Sequence, residues 1–579
     1  MASRLRAAFV AVLLLLLLPI QAFAATYDLV IDRTPVVIDG KTRRVFSING
    51  QIAGPTLRWK EGEDVTINVV NRLEEETSIH WHGILLPYQM DGVPMVSFAG
   101  IKPGTTFTYR FKVRQSGTYW YHSHSGGQEQ EGMYAPIVIE PATGERYKVA
   151  RDYVVMLSDQ HAMSAGAILR KLKQEPGYFN DRKRTLPGLM RDLGNARSGA
   201  ERQAIIADRM AWGEMRMDPT DLADVTGYTF LVNGRGPTDN WTGLFRPGEK
   251  VRLRLINGSA MSIFDVRIPG LGLKVVQADG NDVKPVDVDE LRIGVGETYD
   301  LIVEPREDRA YTIEAQSIDR RGFARATLAT REGMAGQLPV LRPPGLLTPA
   351  DMGHGAMGHG AMGHGGTNHN GTDPSTMDHS QMDHSKMDHS TMKPATVGQA
   401  SSDTLAGLVH VPPVAALPGT KVLSYADLER LGRGYALPPP SRTVEVRLTG
   451  NMDKFIWSFD DRKYSESPVI NFTEGETVRL VFRNETMMNH PIHLHGLWMD
   501  LDNGRSEGRP RKHVVIVPPG RTVAVTVQMS EVGRWPFHCH LLFHMMTGMF
   551  REFVVHPRGS ARPAATPLPA PAGGGHAHH

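Results

Sequence analysis

The sequence has 579 residues and an almost balanced charge, with 64 lysines and arginines against 62 aspartates and glutamates. This length predicts about three to five compact units. The 41% hydrophobic content excludes a disordered or fibrous chain, and the net charge of +2 offers no basic surface for nucleic acid. A single cysteine excludes an internal disulfide, and 24 histidines and 27 methionines are the unusual features of the composition.

The first residues predict a cleavable secretory signal peptide over residues 1–24. Two arginines precede an apolar run from Ala7 to Leu18, and Ala24 closes a cleavage site of small residues. The run is shorter than the roughly 20 residues that a membrane-spanning helix needs. We therefore expect export to the periplasm without a stable membrane anchor, by either the general or the twin-arginine route.

One strand pattern recurs three times along the chain. In each copy a glycine turn leads into a strand of alternating apolar residues, which ends nine residues after the glycine at Asn71, Asn257 or Asn484. Alternation with a period of two predicts half-buried strands, and short strands of this kind favour antiparallel sandwiches. The sequence therefore predicts an all-β chain with three β-sandwich domains in series. Their predicted ranges are 25–145, 146–344 and 405–557.

Three segments depart from this pattern. Residues from about 160 to 225 are polar and are interpreted as an insertion in the second domain, with a helix from Ala200 to Trp212. Residues 345–404 are rich in Gly, His, Met, Asp and Ser, and the tail at 558–579 is rich in Pro, Ala and Gly. Such compositions do not form a packed core, so both are predicted to be flexible.

Histidines occupy matched positions in the first and third domains. One pair in each domain follows the repeat asparagine by nine and eleven residues, and a second pair begins five residues after a later glycine. Residues i and i+2 of a strand face the same side, so each pair points into a common space. The second domain carries Val266 and Ile268 at the first offsets, so the fold does not require the histidines. These positions predict a metal cluster between the two domains, formed by His80, His82, His122, His124, His493, His495, His538 and His540.

A second, different site is predicted in the third domain alone. Cys539 is followed by His544 and Met549, and His490 lies three residues before His493. Two imidazoles, a thiolate and a thioether are the ligands of a blue-copper electron-transfer site, whereas structural zinc favours cysteine-rich ligation. Because Cys539 stands between His538 and His540, this site is connected to the cluster through adjacent peptide bonds. Such a pair of sites suits the four-electron reduction of dioxygen to water.

The four histidine motifs resemble the copper motifs of multicopper oxidases. They are HWHG at 80–83, HSHS at 122–125, HPIHLHG at 490–496 and HCHLLFHMMTGM at 538–549. The Met/His-rich segment and YTFLVNGRGP in the second domain are most similar to the copper-resistance protein A branch. The resemblance implies three cupredoxin-like Greek-key domains and four coppers per chain. It implies a type 1 copper on His490, Cys539, His544 and Met549, a type 2 copper on His80 and His493, and a type 3 pair on His82, His122, His124, His495, His538 and His540.

For proton delivery the chain departs from several relatives, which have acids where Leu542 and Met545 stand here. Asp91, in MDGVP, matches a family acid that helps deliver protons to the oxygen site. Glu129 and Glu131 directly follow the second motif and are alternative catalytic carboxylates. Both could equally be exposed loop residues.

The sequence predicts an oxidase that acts in copper tolerance, with Cu(I) as its substrate and phenols as further substrates. Thioethers select Cu(I), and Met487, Met488 and Met545 lie close in sequence to the type 1 ligands. In the flexible segment, Met352 with His354 and Met387 with His389 offer further copper ligands. The alternatives are a laccase acting mainly on phenols, a periplasmic copper store and, with a poorer fit, a copper nitrite reductase. No nucleic acid or partner protein is expected, and the chain is expected to be monomeric.

Overall fold

The computed structural model describes residues 25–214, 218–348, 419–432 and 436–560. The predicted signal peptide, most of the Met/His-rich segment and nearly all of the predicted tail lie outside the described residues. Met352, His354, Met387 and His389 lie outside them as well. Among the described residues, no helix is long and apolar enough to span a membrane.

The first domain packs two four-stranded sheets face to face, in the orders β2-β1-β4-β6 and β3-β8-β7-β5. Along β4, Val65, Ile67 and Val69 are buried and alternate with more exposed residues, as the repeat predicts. The strands are β1 (Ala25–Ile38), β2 (Lys41–Ile48), β3 (Leu57–Lys60), β4 (Asp64–Asn71), β5 (His80–His82), β6 (Thr106–Lys112), β7 (Gly117–His122) and β8 (Tyr134–Glu140).

The second domain has a six-stranded sheet, in the order β10-β9-β12-β17-β14-β15, and a five-stranded sheet, in the order β11-β19-β18-β13-β16. Three helices follow its first strand, and the third contains the helix predicted over 200–212. The elements are β9 (Arg151–Gln160), α1 (Ala165–Gln174), α2 (Leu186–Asn195), α3 (Gly199–Glu214), β10 (Thr229–Val232), β11 (Trp241–Leu244), β12 (Val251–Asn257), β13 (Phe264–Arg267), β14 (Leu273–Ala278), β15 (Asn281–Val288), β16 (Glu290–Ile293), β17 (Thr298–Val303), β18 (Tyr311–Ser317) and β19 (Phe323–Ala329).

The third domain repeats this plan, with sheets in the orders β21-β20-β23-β28-β25-β26 and β22-β30-β29-β24-β27. Its one α-helix among the described residues lies within the cysteine motif at 538–549. The elements are β20 (Arg442–Asn451), β21 (Ile456–Phe459), β22 (Ile470–Thr473), β23 (Thr477–Asn484), β24 (His490–Leu494), β25 (Met499–Leu501), β26 (Arg511–Lys512), β27 (Val514–Val517), β28 (Thr522–Gln528), β29 (Gly533–Cys539), α4 (Leu542–Met546) and β30 (Phe550–His556).

The prediction of an all-β chain with three β-sandwich domains is confirmed, with one addition. Each sheet also contains one parallel pair, for example β1 with β4 and β20 with β23. Alternation within a strand gives the side that is buried but not the direction of the neighbouring strand, so the sequence pattern did not show this.

The repeat asparagines explain why the three domains share a register. Each is buried, and its side-chain amide donates to backbone carbonyls of the segments that follow. Asn71 donates to Glu75 (2.9 Å) and Ile101 (2.8 Å). Asn484 donates to Met488 (2.7 Å) and Val517 (2.9 Å). The asparagine thus fixes the loop that leads to the first histidine pair in each copper-motif domain. Asn257 makes the same kind of contacts, with Ser262 (2.9 Å) and Ile293 (3.1 Å).

Candidate metal centre

The histidines of the first and third domains meet at the boundary between these two domains, on paired strands of one sheet from each. In the first domain β5 pairs with β7, which sets His80 beside His122. In the third domain β24 pairs with β29, which sets His493 beside His538. The rings cross the domain boundary, because the ring centroids of His82 and His493 stack 3.7 Å apart. The matched offsets therefore bring together side chains that are about 400 residues apart in sequence.

Alternation along these strands separates two functions. In β5, His80 and His82 face the cluster, while Trp81 points into the core of the first domain against Trp59 and Tyr109. At the end of β29, His538 and the next-but-one residue His540 contribute to the cluster, while Cys539 between them belongs to a separate group of ligands. Neighbouring residues of one strand thus serve two sites.

The eight predicted histidines form three groups whose ligand atoms lie within 4.8 Å of one another. Each group draws on both domains, so neither domain forms a group alone. The groups are His82, His122 and His540, then His124, His495 and His538, and finally His80, His493 and His495.

Five of these rings have a preferred tautomer, because one nitrogen faces a backbone carbonyl or, for His495, a carboxylate that accepts its proton when ionised. His80 Nδ1 donates to the carbonyl of Asp91 (2.8 Å), and His538 Nδ1 donates to the carbonyl of Cys539 (2.9 Å). When Nδ1 carries the proton, Nε2 holds the lone pair that binds a metal. The other three are His122, bonded to the carbonyl of Ser123, His493, bonded to the carbonyl of His513, and His495, bonded to the carboxylate of Asp91.

The free nitrogens then face one another without a proton between them. The Nε2 atoms of His493 and His80 are 3.4 Å apart, and those of His495 and His538 are 3.0 Å apart. Two lone pairs at such a distance repel unless a cation lies beside them. Within the described part of the chain, Nε2 of His122, His124 and His540 and both ring nitrogens of His82 have no hydrogen-bond partner. The donor set therefore fits metal ions.

Two buried carboxylates contact the outer side of this cluster. Asp91 is 1% exposed, and its Oδ2 accepts from Nδ1 of His495 at 2.9 Å. Glu129 is 3% exposed, and its Oε2 lies 3.0 Å from Nδ1 of His122. Burial, together with Asp159, raises the pKa of Glu129 well above its usual value. Glu129 is thus not an exposed loop residue.

Glu131 has different contacts from the other two predicted carboxylates. Its Oε1 accepts from the backbone N–H of Ala165 (3.0 Å), the first residue of α1, and its Oε2 lies 3.6 Å from Arg33. A carboxylate at a helix N-terminus is stabilised by the unpaired N–H groups there. These contacts account for Glu131 as a residue that fixes α1 against the first domain.

The second ligand group contains the single cysteine. Cys539 Sγ lies 3.5 Å from Nδ1 of His490 and 3.7 Å from Nδ1 of His544, and the two Nδ1 atoms are 3.1 Å apart. Met549 is buried beside them: its N–H donates to the carbonyl of His544 (3.0 Å), and its carbonyl accepts from the N–H of Cys539 (3.1 Å). All four predicted ligands therefore come from adjoining backbone segments.

Both histidines of this group are oriented through their Nε2 atoms. His490 Nε2 contacts the hydroxyl of Thr486 (2.7 Å), which in turn donates to Asn484 Oδ1 (2.9 Å). His544 Nε2 lies 2.7 Å from Asp224 Oδ2. These partners place the proton on Nε2 and leave Nδ1 free as ligand. The ring of Trp457 also stacks on His544, with centroids 3.9 Å apart.

The electrostatics of both groups suit neutral imidazole ligands. Burial first, and repulsion between neighbouring rings second, lowers the pKa of His82, His122 and His493 well below the usual value. Burial also raises the pKa of the Cys539 thiol. A bound metal offsets that cost, because the thiolate is the ligand and metal binding releases the proton.

A pocket of about 60 Å³ lies next to the cysteine group, between the second and third domains. Met488, which the sequence singles out, lines it together with Met261 and Asp224. The thioether of Met261 also contacts α4, the helix that contains His544, because it accepts from the N–H of Phe543 (3.5 Å). Met487 is instead buried in the core, and Met545 packs partly exposed against it.

Sequence reasoning missed three residues of these sites: Asp224, Met261 and His513. None lies at a repeat offset or in a histidine motif, and the first two come from the second domain, which carries no motif ligand. The raised pKa of Asp224, about 7 through burial, is itself a structural property. The one available signal was position in the sequence, because Asp224 lies just before the YTFLVNGRGP segment that resembles the copper-resistance protein A branch.

Comparisons with known proteins agree with this geometry. Multicopper oxidase family models match residues 30–144, 207–333 and 437–559. The chain belongs to the multicopper oxidase family. As such it is an oxidoreductase with copper as cofactor and dioxygen as acceptor, which confirms the resemblance seen in the motifs.

Two named relatives are about half identical to this multicopper oxidase over most of its length. Copper resistance protein A of Pseudomonas syringae pv. tomato is 52% identical over 563 residues, covering 91% of this chain and 92% of the relative. Copper resistance protein A of Escherichia coli is 49% identical over 559 residues, with the same two coverages. The laccase from Botrytis aclada shares the fold, with a TM-score of 0.62 at 22% identity, covering 92% of this chain and 88% of the laccase.

Proposed function

We propose that this multicopper oxidase takes single electrons from Cu(I) at the cysteine site and delivers them to dioxygen at the histidine cluster. The proposal assigns four coppers per chain. The type 1 copper would be held by His490, Cys539, His544 and Met549, the type 2 copper by His80 and His493, and the type 3 pair by His82, His122, His124, His495, His538 and His540. Bound copper would supply the one-electron chemistry at each site.

The observation that carries the proposal is the connection between the two ligand groups. Cys539 is covalently continuous with His538 and His540, and His538 Nδ1 donates to the carbonyl of Cys539 (2.9 Å). A copper store needs many ligands but no such connection. An enzyme that takes electrons in at one site and uses them at another does need it.

The pocket beside His544 supports Cu(I) as the substrate. Its lining combines two thioethers, Met261 and Met488, with the carboxylate of Asp224, which contacts His544 directly. Thioethers select Cu(I), and a carboxylate attracts a cation. Its volume of about 60 Å³ is far below the roughly 300 Å³ of the smaller organic-ligand pockets. This size favours an ion over a phenol.

For proton delivery we propose Asp91 and Glu129. Each is a buried carboxylate that contacts a ring nitrogen of a cluster histidine on the side away from the other ligands. In that position the carboxylate orients the ring and is close enough to pass a proton toward the oxygen site. The contacts of Glu131 with Arg33 and α1 favour a structural role instead.

We also propose that the protein is exported to the periplasm and acts in copper tolerance. The N-terminal pattern of residues 1–24 supports export, and relatives about half identical over nine-tenths of the chain are named copper resistance proteins. Capture of copper by the Met/His-rich segment at 345–404 stays a prediction from composition.

The test is oxygen uptake by copper-loaded mature protein with Cu(I) as the only reductant. We expect uptake in the wild type and none in Cys539→Ser, which should also lose its blue colour while keeping the other three coppers. Turnover of a phenol without Cu(I)-dependent uptake would move the assignment to a laccase. Tight copper binding with neither activity would favour a copper store.

A matched pair of variants tests the pocket. Met488→Leu removes a thioether that lines the pocket, while Met499→Leu removes a buried thioether in β25. The two changes have similar packing costs. Only Met488→Leu should raise the KM for Cu(I), and equal effects of the two would contradict the pocket as the Cu(I) site.

A further inference from the structure

Trp457 is a buried tryptophan that packs against the proposed type 1 site and lies outside the four histidine motifs. It belongs to β21 and is fully buried. Its ring stacks on that of His544, with centroids 3.9 Å apart and an angle of 24° between the planes. The same ring lies 5.2 Å from that of His490, at an angle of 70°. One indole therefore contacts both imidazoles of this ligand group.

Two glycines hold Trp457 in this position. Gly450 pairs with Trp457 across β20 and β21, and a Cβ on Gly450 would lie 2.8 Å from Cε3 of the indole. On the ligand side, a Cβ on Gly548 would lie 2.6 Å from the carbonyl oxygen of Trp457, and the φ of Gly548 is +130°. Glycine adopts such a conformation without strain. Since Gly548 directly precedes Met549, the backbone of Trp457 also packs against the segment that carries the fourth proposed ligand.

The indole face affects the charge balance of the site as well as the position of His544. The face of an aromatic ring is negative, and it attracts a positive group that lies over it. An imidazole bound to Cu(II) carries more positive charge than the same imidazole bound to Cu(I). The stack therefore stabilises the oxidised state more than the reduced state. Because Trp457, His490 and His544 are all fully buried, water screens this interaction little.

We propose that Trp457 is a positioning residue of the type 1 site, which fixes His544 and lowers the reduction potential of the bound copper. The proposal rests on the proposed function, because that function assigns the type 1 copper to this ligand group. Reduction of the site takes one electron from the substrate, and the indole neither gains nor loses one. Trp457 makes the oxidised copper the more stable state, so that the electron passes on readily to the histidine cluster.

The experiment is a redox titration of copper-loaded protein, in which the blue absorbance reports the fraction of oxidised type 1 copper. Trp457→Leu removes the aromatic face, so the equilibrium should shift toward the reduced form by about 3- to 30-fold, a rise of about 30–90 mV for one electron. Trp457→Phe keeps a smaller aromatic face, and we expect a shift of about twofold in the same direction. The matched control is Phe459→Leu, which removes a buried ring two residues along β21 that packs against Phe537 at 5.0 Å. The potential of the control should match that of the wild type.

Equal potentials in the wild type and Trp457→Leu would overturn the proposal, as would a fall in potential or the same shift in Phe459→Leu. If Trp457→Leu does not fold, Trp457→Phe decides alone, and an unchanged potential in that variant overturns the proposal. A copper-loaded wild type without a blue site would contradict the proposed function itself. A blue wild type that takes up oxygen with Cu(I), but whose potential is independent of Trp457, would contradict only the role of Trp457.

Discussion

Replacing Asp224 with asparagine should weaken Cu(I) oxidation while leaving the copper sites intact. Asp224 is buried, with its side chain 2% exposed, and its Oδ2 lies 2.7 Å from His544 Nε2. A hydrogen bond to a charged group contributes about 1.5–3 kcal/mol, against about 0.5–1.5 kcal/mol for a neutral one. Asparagine can keep the contact through its carbonyl oxygen but loses the charge, so above the Asp224 pKa of about 7, where the carboxylate is ionised, the loss is about 1–2 kcal/mol. This corresponds to a fall of about 5- to 30-fold in kcat/KM for Cu(I).

The assay is initial oxygen uptake over a range of Cu(I) concentrations, with the blue absorbance measured in parallel. The matched control is Asp319→Asn, because Asp319 lines the same pocket but bonds Ser317 (2.6 Å). We expect little change in the control. An equal loss in both variants would mean that only the general charge of the pocket matters. An unchanged kcat/KM in Asp224→Asn, with normal blue absorbance, would refute the reasoning from the His544 contact.

Two further predictions concern other parts of the molecule. Asp91→Asn should lower oxygen turnover by about 10²- to 10⁴-fold with the blue colour retained, as expected for loss of a proton-transfer group. Glu131→Gln should change oxygen turnover by no more than about twofold. A large loss in Glu131→Gln with little change in Asp91→Asn would exchange the roles of the two residues. The buried Nζ of Lys512 lies 3.1 Å from the Asp279 carboxylate and 2.9 Å from that of Glu297. Lys512→Met should leave both carboxylates buried without their cation, a loss of about 3–5 kcal/mol, seen as a lower midpoint of thermal unfolding. Adding Glu297→Gln should recover part of the loss, and no recovery would argue against the ion pair as the cause.

The histidine cluster was accessible from the sequence because two regularities coincide in it. A strand places residues i and i+2 on one side, and the repeat asparagine fixes the loop between the preceding strand and the histidines. Asn71 and Asn484 make equivalent backbone contacts, so equal offsets in sequence become equal positions in space. The second domain confirms the logic, since Val266 and Ile268 at the same offsets are buried core residues.

The residues outside the motifs depend on how the domains pack, and no periodicity encodes that. Asp224 and His544 are 320 residues apart, and the position of neither residue in the sequence repeats predicts that they are in contact. The burial of Glu129 also depends on tertiary structure. The start of α1 packs against the polar segment around Glu129, and the sequence of that segment gives no sign of this contact. His513 lacks a second histidine at i+2, so the feature that revealed the other pairs is missing.

The second domain lines the pocket beside the cysteine group, although it carries none of the proposed copper ligands. It contributes Asp224 and Met261 to the pocket beside His544. Its Asp159 holds the Met261 loop by accepting from the N–H groups of Ala260 (2.9 Å) and Met261 (3.0 Å). Substrate preference can therefore change through residues of this domain without any change in the ligands. A relative with the same four motifs but a different segment at 222–228 is then expected to keep the chemistry and oxidise another reductant.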